Sequence, residues 1–348
     1  MPMESNVEES IGKLQKMVEA DPNNQEARMM LGLAYGTRGQ YQEAIKELEA
    51  AVKMKPENPE AHFDLGLAYN MMDDLDNAVK EYNETLRLKP DHLDAMLNLA
   101  NAYLAMGNAD DALGLFKDMI AKNPESAEVF ASFGVALASA GYLDDAEEML
   151  KKAIAKDPRS FDGHLFLAGV YMDKGEVDDA IKEYRIAATI SPEEPSVFYN
   201  WGFALSEKGL TMDAIEKYQI AVHLDPGFVE ARYNLASMLA KQNRLDEAIT
   251  ELKETIKADP SFADAHNMLG VIYTAKEFTR AAINELEEAV KLDPDFAVAY
   301  NNLGMVYYGQ EQYDEAIKVF EQALKIDPGY FEAQNNLKNA QAKKLNKP

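Results

Sequence analysis

The sequence predicts an all-α fold, a solenoid built from pairs of antiparallel helices. The chain has 348 residues, of which 47% are hydrophobic and 27% charged, a composition typical of folded proteins. A proline recurs every 34 residues, and two other columns of the same period hold only small residues. One helix pair cannot bury both of its faces, so such repeats must stack on their neighbours. The prolines are Pro22, Pro56, Pro90, Pro124, Pro158, Pro192, Pro226, Pro260, Pro294 and Pro328.

Each repeat divides into two predicted helices when proline is placed at position 32. Positions 4, 7, 8 and 11 form an apolar stripe at helical spacing, and positions 20, 21, 24, 27 and 28 form another. Position 8 is always glycine or alanine and position 20 is always alanine, which lets two helix axes approach closely. Glycines such as Gly39 and Gly107 end the first helix, and the proline ends the second.

The same frame predicts the domain organisation, with a helix at either end acting as a cap. The N-terminal cap spans residues 1–24, of which 5–21 fit only a second helix. The C-terminal cap and basic tail span residues 331–348, of which 331–345 restart a first helix. Polar residues in its packing positions suit a helix without a further neighbour. The nine predicted repeats are 25–58, 59–92, 93–126, 127–160, 161–194, 195–228, 229–262, 263–296 and 297–330.

This pattern resembles the tetratricopeptide repeat family. The resemblance rests on large apolar, Leu, Gly, Tyr, Ala, aromatic and Pro residues at these offsets, as in Leu65, Gly66, Tyr69, Ala78 and Tyr82. It implies a right-handed superhelix whose concave groove is lined by the first helix of each repeat. It also implies a non-catalytic protein that binds other proteins.

Charge and composition narrow the classes of partner. There are 35 basic and 60 acidic residues, giving a net charge of −25, which repels nucleic-acid backbones and anionic membranes. No cysteine is present, so disulfides and thiolate metal sites are excluded. The N-terminal sequence shows no signal peptide, and no apolar run approaches the length of a membrane span. We therefore expect a cytoplasmic protein with protein or peptide partners.

Catalytic chemistry is not indicated, and we predict no enzyme activity, no cofactor and no metal site. His62, His164 and His266 share position 4 and lie 102 residues apart, too far for one coordination sphere. Acidic pairs such as Asp144 and Asp145 recur where second helices begin, where they complement the helix dipole. The sequence contains no phosphate-binding loop, nucleophile elbow or dinucleotide fingerprint.

The residues left for function are those opposite the packed stripe of each first helix, at positions 2, 5, 6, 9, 12 and 13. Asparagines recur on this face and form a predicted ladder, and their amides can pair with an extended peptide backbone of any sequence. The ladder resembles the one lining the tetratricopeptide superhelix of O-linked N-acetylglucosamine transferases, although asparagine is also common at this position in the family at large. The asparagines are Asn98, Asn101, Asn200, Asn234, Asn267, Asn301 and Asn302.

Apolar and acidic side chains occupy the rest of this face. Apolar side chains exposed on a folded protein mark an interaction surface, and acidic ones at position 2 favour basic ligands, although they also stabilise helix N-termini. The apolar candidates are Met29, Met30, Leu33, Phe63, Leu67, Met71 and Leu97, with an aromatic patch of Tyr199, Phe203 and Tyr233. The acidic candidates are Glu26, Glu60 and Asp94.

The leading hypothesis is a scaffold that holds a peptide or helix of a partner, with basic flanks, in the concave groove. Positions 2, 5 and 6 carry no basic residue in any repeat, so a clamp for a C-terminal carboxylate is excluded. Two alternatives stay open. One is a self-assembling architectural protein whose terminal helices form homo-oligomers, and the other is a regulatory or adaptor subunit of a separate enzyme.

Overall fold

The computed structural model describes residues 2–345, with side-chain surroundings from residue 8 onward. Every regular element in this range is an α-helix, and the predicted all-α solenoid of helix pairs is confirmed. The helices divide into two compact units, Met1–Gly175 and Glu176–Pro348.

The first compact unit contains ten helices, each packed against the next along the chain. Successive elements alternate between 13-residue first helices and 14-residue second helices after α1. The helices are α1 (Pro2–Ala20), α2 (Gln25–Thr37), α3 (Tyr41–Met54), α4 (Pro59–Met71), α5 (Leu75–Leu88), α6 (Leu93–Ala105), α7 (Ala109–Lys122), α8 (Ala127–Ser139), α9 (Leu143–Lys156) and α10 (Phe161–Asp173).

The second compact unit contains the other ten helices of the described range, with the same alternation up to the last helix, which has 15 residues. The helices are α11 (Val177–Ile190), α12 (Pro195–Glu207), α13 (Thr211–Leu224), α14 (Val229–Lys241), α15 (Leu245–Ala258), α16 (Ala263–Ala275), α17 (Thr279–Leu292), α18 (Ala297–Gly309), α19 (Tyr313–Ile326) and α20 (Phe331–Leu345).

The small residues at position 8 set the distance between the two helices of a pair. A Cβ added to Gly66 in α4 would lie 2.6 Å from Cε1 of Tyr82 in α5. The Tyr82 ring is fully buried in that space and forms a hydrophobic cluster with Ala78 and Leu99. Glycine is therefore required at residue 66 in this packing, because a methyl group there would force the Tyr82 ring or the helices apart.

The turn between the paired helices is left-handed at position 15 in every predicted repeat. Five of these residues are glycines, which adopt positive φ without strain. The other four are Asp73, Asn243, Glu277 and Glu311, with φ between 56 and 61°. The geometry of the turn is thus imposed by the packed helix pair even where the local residue disfavours it.

The terminal helices repeat the side-chain relations of the interior. Gln15 of α1 donates from Nε2 to the Tyr35 hydroxyl (2.8 Å), as Tyr69 and Glu49 are joined one repeat later (2.9 Å). In α20, Gln334 donates from Nε2 to the Pro328 carbonyl (2.8 Å). Thus α1 packs as a second helix does, and α20 packs as a first helix does. No helix between residues 2 and 345 is long and apolar enough to cross a membrane.

Candidate functional site

The first helices form the candidate binding face of each compact unit. In the first unit α2 contacts α4, α4 contacts α6, α6 contacts α8 and α8 contacts α10, whereas consecutive second helices do not approach as closely. In the second unit α14 contacts α16 and α16 contacts α18. First helices are thus the more closely spaced layer within each unit, and their free faces form the inner side of that unit.

The apolar candidates separate into exposed and packed side chains. Met30, Leu33 and Met71 are exposed, with 48%, 45% and 63% of their surfaces accessible. Met29 packs against the cluster around Leu48, and Phe63 and Leu67 pack against the cluster around Tyr82. Leu97 is buried at 8% exposure, so its prediction as an exposed groove residue is wrong.

The aromatic candidates also pack more than expected, and two of the three rings are engaged. Tyr199 lies 4.9 Å from the Phe228 ring, and Tyr233 lies 5.1 Å from the Phe262 ring, measured between centroids. Burial raises the pKa of both tyrosines. Only Phe203 is largely exposed, so these residues do not form one open aromatic patch.

Asparagines at position 6 tie successive first helices together. Asn302 donates from Nδ2 to Oδ1 of Asn267 (2.9 Å), and Asn234 donates to the Tyr199 hydroxyl (3.4 Å). Each acceptor lies at position 5 of the preceding repeat, 35 residues earlier. Asn336 of α20 repeats the contact by donating to Asn301 (2.9 Å). Part of the predicted ladder is therefore occupied by contacts within the protein.

The remaining asparagines differ in their freedom to bind. Asn98 donates to the Asp94 carbonyl of its own helix (2.8 Å). Asn301 is buried at 6% exposure, so it does not offer the groove surface that was predicted for it. Among the described residues, Asn101 and Asn200 have no hydrogen-bond partner; Asn101 is exposed and Asn200 is half-buried.

The acidic candidates Glu26, Glu60 and Asp94 all lie on the surface. Glu60 is 3.0 Å from Lys89 Nζ and 3.2 Å from His92 Nε2, and these partners lower the pKa of its carboxyl. Asp64 follows Glu60 by one turn and is half-buried. Desolvation, and then the charge of Glu60, raise the pKa of Asp64 to about 6 although His92 acts in the opposite direction. This part of the face holds a carboxylate whose charge is poorly compensated.

The histidines predicted to be structural pack inside the solenoid, against their own repeat and the one before it. His62 donates from Nδ1 to Oε2 of Glu81 (2.6 Å), and its Nε2 lies 2.9 Å from the Pro56 carbonyl oxygen. His266 contacts Glu285 in the same way (2.7 Å). Within the described part of the chain, no group of three His, Asp or Glu residues could hold a metal ion.

Sequence comparisons and solved structures give the family. A family model described as the cilia and flagella-associated protein 70 C-terminal domain, one of the tetratricopeptide models, matches residues 57–267, more than half of the chain. Tetratricopeptide repeat models also match residues 297–330 and residues 37–73 and 279–311. The chain belongs to this family of tetratricopeptide repeat proteins. A search of curated proteins found no significant match.

Solved tetratricopeptide structures share the fold. The C-terminal part of a repeat protein from Cytophaga hutchinsonii is 15% identical with a TM-score of 0.58, and the match covers 69% of this chain and 99% of that one. The Cut9–Hcn1 hetero-tetramer structure gives 16% identity, a TM-score of 0.52 and coverages of 91% and 76%. YrrB, described as having an unusual peptide-binding site, is 29% identical with a TM-score of 0.48, over 53% of this chain and 95% of YrrB.

The tetratricopeptide frame also contains a pairing that sequence reasoning missed. Five repeats have Arg or His at position 4, and those five alone have Glu at position 23. Arg28 contacts Glu47, and Arg232 donates from Nη1 to Glu251 (2.6 Å). Both arginines also donate from Nε to the carbonyl of the proline six residues earlier, at 3.0 and 2.9 Å. Positions 4 and 23 covary among the repeats, and this covariation is the sequence signal that could have revealed the pair.

Proposed function

We propose that this chain is a non-catalytic scaffold that holds a peptide or helix of a partner protein against its first helices. Tetratricopeptide repeat proteins are generally non-catalytic scaffolds for protein interactions, and this chain has their fold. The observation that carries the proposal is the exposure of Met30, Leu33 and Met71 on α2 and α4. Exposed apolar side chains favour complex formation, because a bound partner removes them from water. Methionine side chains are flexible and can adapt to varied partners.

The charge of the same face selects the partner. Position 2 is acidic in seven of the nine predicted repeats, and Lys241 is the only basic residue at positions 2, 5, 6, 9, 12 or 13. Such a surface attracts lysine and arginine and disfavours acidic segments. We therefore expect a partner segment that presents apolar side chains to α2 and α4 and carries basic residues beside them.

The test starts from peptides selected from a random library on the full chain. Their dissociation constants are then measured by fluorescence polarisation for the wild type and for the variant M30S/L33S/M71S. We expect at least a tenfold loss of affinity in this variant, because three anchoring side chains lose apolar contact.

The matched control is I186S/M212S, which removes two exposed apolar side chains from the second helices α11 and α13. It should bind within twofold of the wild type. Equal affinity of the M30S/L33S/M71S variant and the wild type, with circular dichroism unchanged, would refute the proposed groove.

A further inference from the structure

A cleft of about 400 Å³ opens on the first-helix face of the first compact unit, at α8 and between α6 and α10. We name it the Ala131 cleft. Its floor is made by small side chains of α8, one wall is an aromatic ring of α10, and carboxylates stand at its rim. The residues that define it here are Glu128, Ala131, Ser132, Ser160, Asp162 and Phe166.

The Ala131 cleft forms where the side chains at two positions of a repeat are both small. In three other repeats positions 5 and 34 hold aromatic rings in contact: Phe63 lies 4.7 Å from His92 between centroids, and the Tyr199–Phe228 and Tyr233–Phe262 pairs repeat the contact. In residues 127–160 the same two positions are Ala131 and Ser160, and no other repeat has so small a residue at position 5. The space that two rings fill in those three repeats is therefore open to solvent here.

The wall and rim of the cleft offer two kinds of attraction for a cation. Phe166 is 39% exposed and presents an aromatic surface at position 6, where no other repeat has a ring. Glu128 and Asp162 have no ion-pair or hydrogen-bond partner among the described residues. A third carboxylate, Asp157, accepts the Arg159 backbone N–H (2.9 Å). The lining includes no lysine or arginine.

We propose that the Ala131 cleft binds an arginine side chain of a partner peptide. This inference rests on the proposed function and gives its partner a defined residue. The arginine enters over Ala131 and Ser132, its guanidinium plane meets the Phe166 ring, and its N–H groups reach Glu128 and Asp162. The partner's side chain occupies the space that two rings fill in the three repeats that have them.

Arginine fits this combination better than lysine. A guanidinium is planar and delocalised, so it can stack on an aromatic ring while donating to carboxylates at its edges. Lysine offers one compact and strongly hydrated charge, which gains less from a ring it cannot stack against. A neutral side chain of similar length can donate hydrogen bonds to the carboxylates but gains no ionic attraction from them.

The first experiment tests the cleft without a selected partner. N-acetyl-arginine amide is titrated into the full chain carrying ¹³C-labelled alanine and valine methyl groups, and the signals of Ala131 and Val135 are followed by NMR. N-acetyl-citrulline amide, which has the same shape without the charge, is the control ligand. We expect saturable shifts with the arginine compound and at least tenfold weaker binding of citrulline. Absence of shifts, or equal shifts with both compounds, would overturn the inference.

The second experiment uses variants and an 11-residue Gly/Ser peptide with a central arginine. Phe166→Ala and Ser132→Leu, which remove the wall and fill the cleft, should each weaken binding at least fivefold. Phe278→Ala removes an exposed ring from the turn before α17, outside both the first-helix face and the cleft, and should bind within twofold of the wild type. Replacement of the central arginine by lysine should weaken binding by threefold or more. If Phe166→Ala and Phe278→Ala behave alike, the cleft is not the arginine site.

The two proposals fail in different ways. If M30S/L33S/M71S leaves selected peptides bound while the arginine compound still shifts Ala131, the apolar groove is wrong and the cleft stands. If the apolar variant weakens binding but arginine and citrulline peptides bind equally, the scaffold stands and the arginine site is wrong.

Discussion

Asn302 donates a hydrogen bond from its Nδ2 to Oδ1 of Asn267, 2.9 Å away, and so joins the first helices α18 and α16. The two residues occupy positions 6 and 5 of consecutive predicted repeats. Because the same relation recurs at Asn336 and Asn301, it belongs to the way first helices stack. Asparagine on this face is thus both a structural and a candidate binding residue, and the two roles fall on different members.

Asn302→Ala is expected to lower the free energy of unfolding by about 1 kcal/mol, because it leaves Asn267 without its donor. Asn200→Ala, at the same position but without a partner in the described structure, should change stability by less than ~0.5 kcal/mol. Urea unfolding measures both changes; a stability loss as large in Asn200→Ala would contradict the assignment.

The pair of His62 and Glu81 should respond strongly to removal of one partner. Both side chains are buried, so His62→Ala or Glu81→Ala should each cost about 2–4 kcal/mol of unfolding free energy. The double variant H62F/E81M places there the residues that stand at positions 4 and 23 as Phe130 and Met149. The free energy of unfolding of this double variant should lie within ~1.5 kcal/mol of the wild-type value. A double variant no more stable than the single ones would show that the two columns do not substitute as pairs.

Glu277 is held at φ 61° in a turn where five other repeats have glycine. Glu277→Gly should raise the free energy of unfolding by ~0.5–1 kcal/mol, because it relieves a left-handed conformation that costs about 1–2 kcal/mol for other residues. Gly141→Ala, at the same position with φ 83°, should lower it by a similar amount. Both changes are read from urea midpoints at constant slope. Destabilisation by Glu277→Gly would mean that the side chain itself holds the turn.

Asp64 should make folding less favourable as pH rises from about 4 to about 6. Its pKa is raised from an ordinary 3.8 to about 6, so in this window the folded chain retains a proton that the unfolded chain releases. The stability contributed by the protonated carboxyl is therefore lost as pH rises through 6. Above that pH the contribution of Asp64 to the free energy of unfolding no longer changes.

Asp64→Asn should remove this pH dependence and raise stability at pH 7 by up to ~2 kcal/mol, a value reduced for the partial exposure of the side chain. Urea unfolding at a series of pH values measures both effects. Asp264→Asn, an exposed acid at position 2, is the control and should keep the slope of the wild type. An unchanged slope in Asp64→Asn would assign the titration to another group.

The helices were predictable from the sequence because proline and alanine columns report positions that every repeat needs. The exposure of the groove side chains was less predictable. A helical wheel represents a single helix without its neighbours, and it places position 5 on the free side. In the structure position 5 can meet position 6 of the next first helix, as Asn301 meets Asn336, and Asn301 is buried there; Leu97, also at position 5, is buried as well. The Ala131 cleft was missed because it depends on two small residues, Ala131 and Ser160, that lie 29 residues apart.

Polar contacts within one repeat and polar contacts between consecutive repeats respond differently when a gene of this type gains or loses a segment. The His62–Glu81 contact lies inside one 34-residue period, so it is copied or deleted whole. The Asn302–Asn267 contact spans 35 residues, so it is remade at any new junction that brings a suitable amide beside its acceptor. Duplication or excision of whole repeats therefore leaves neither member of such a buried His–Glu pair without its partner, and arrays of this type can vary in length over evolution without redesign of these contacts.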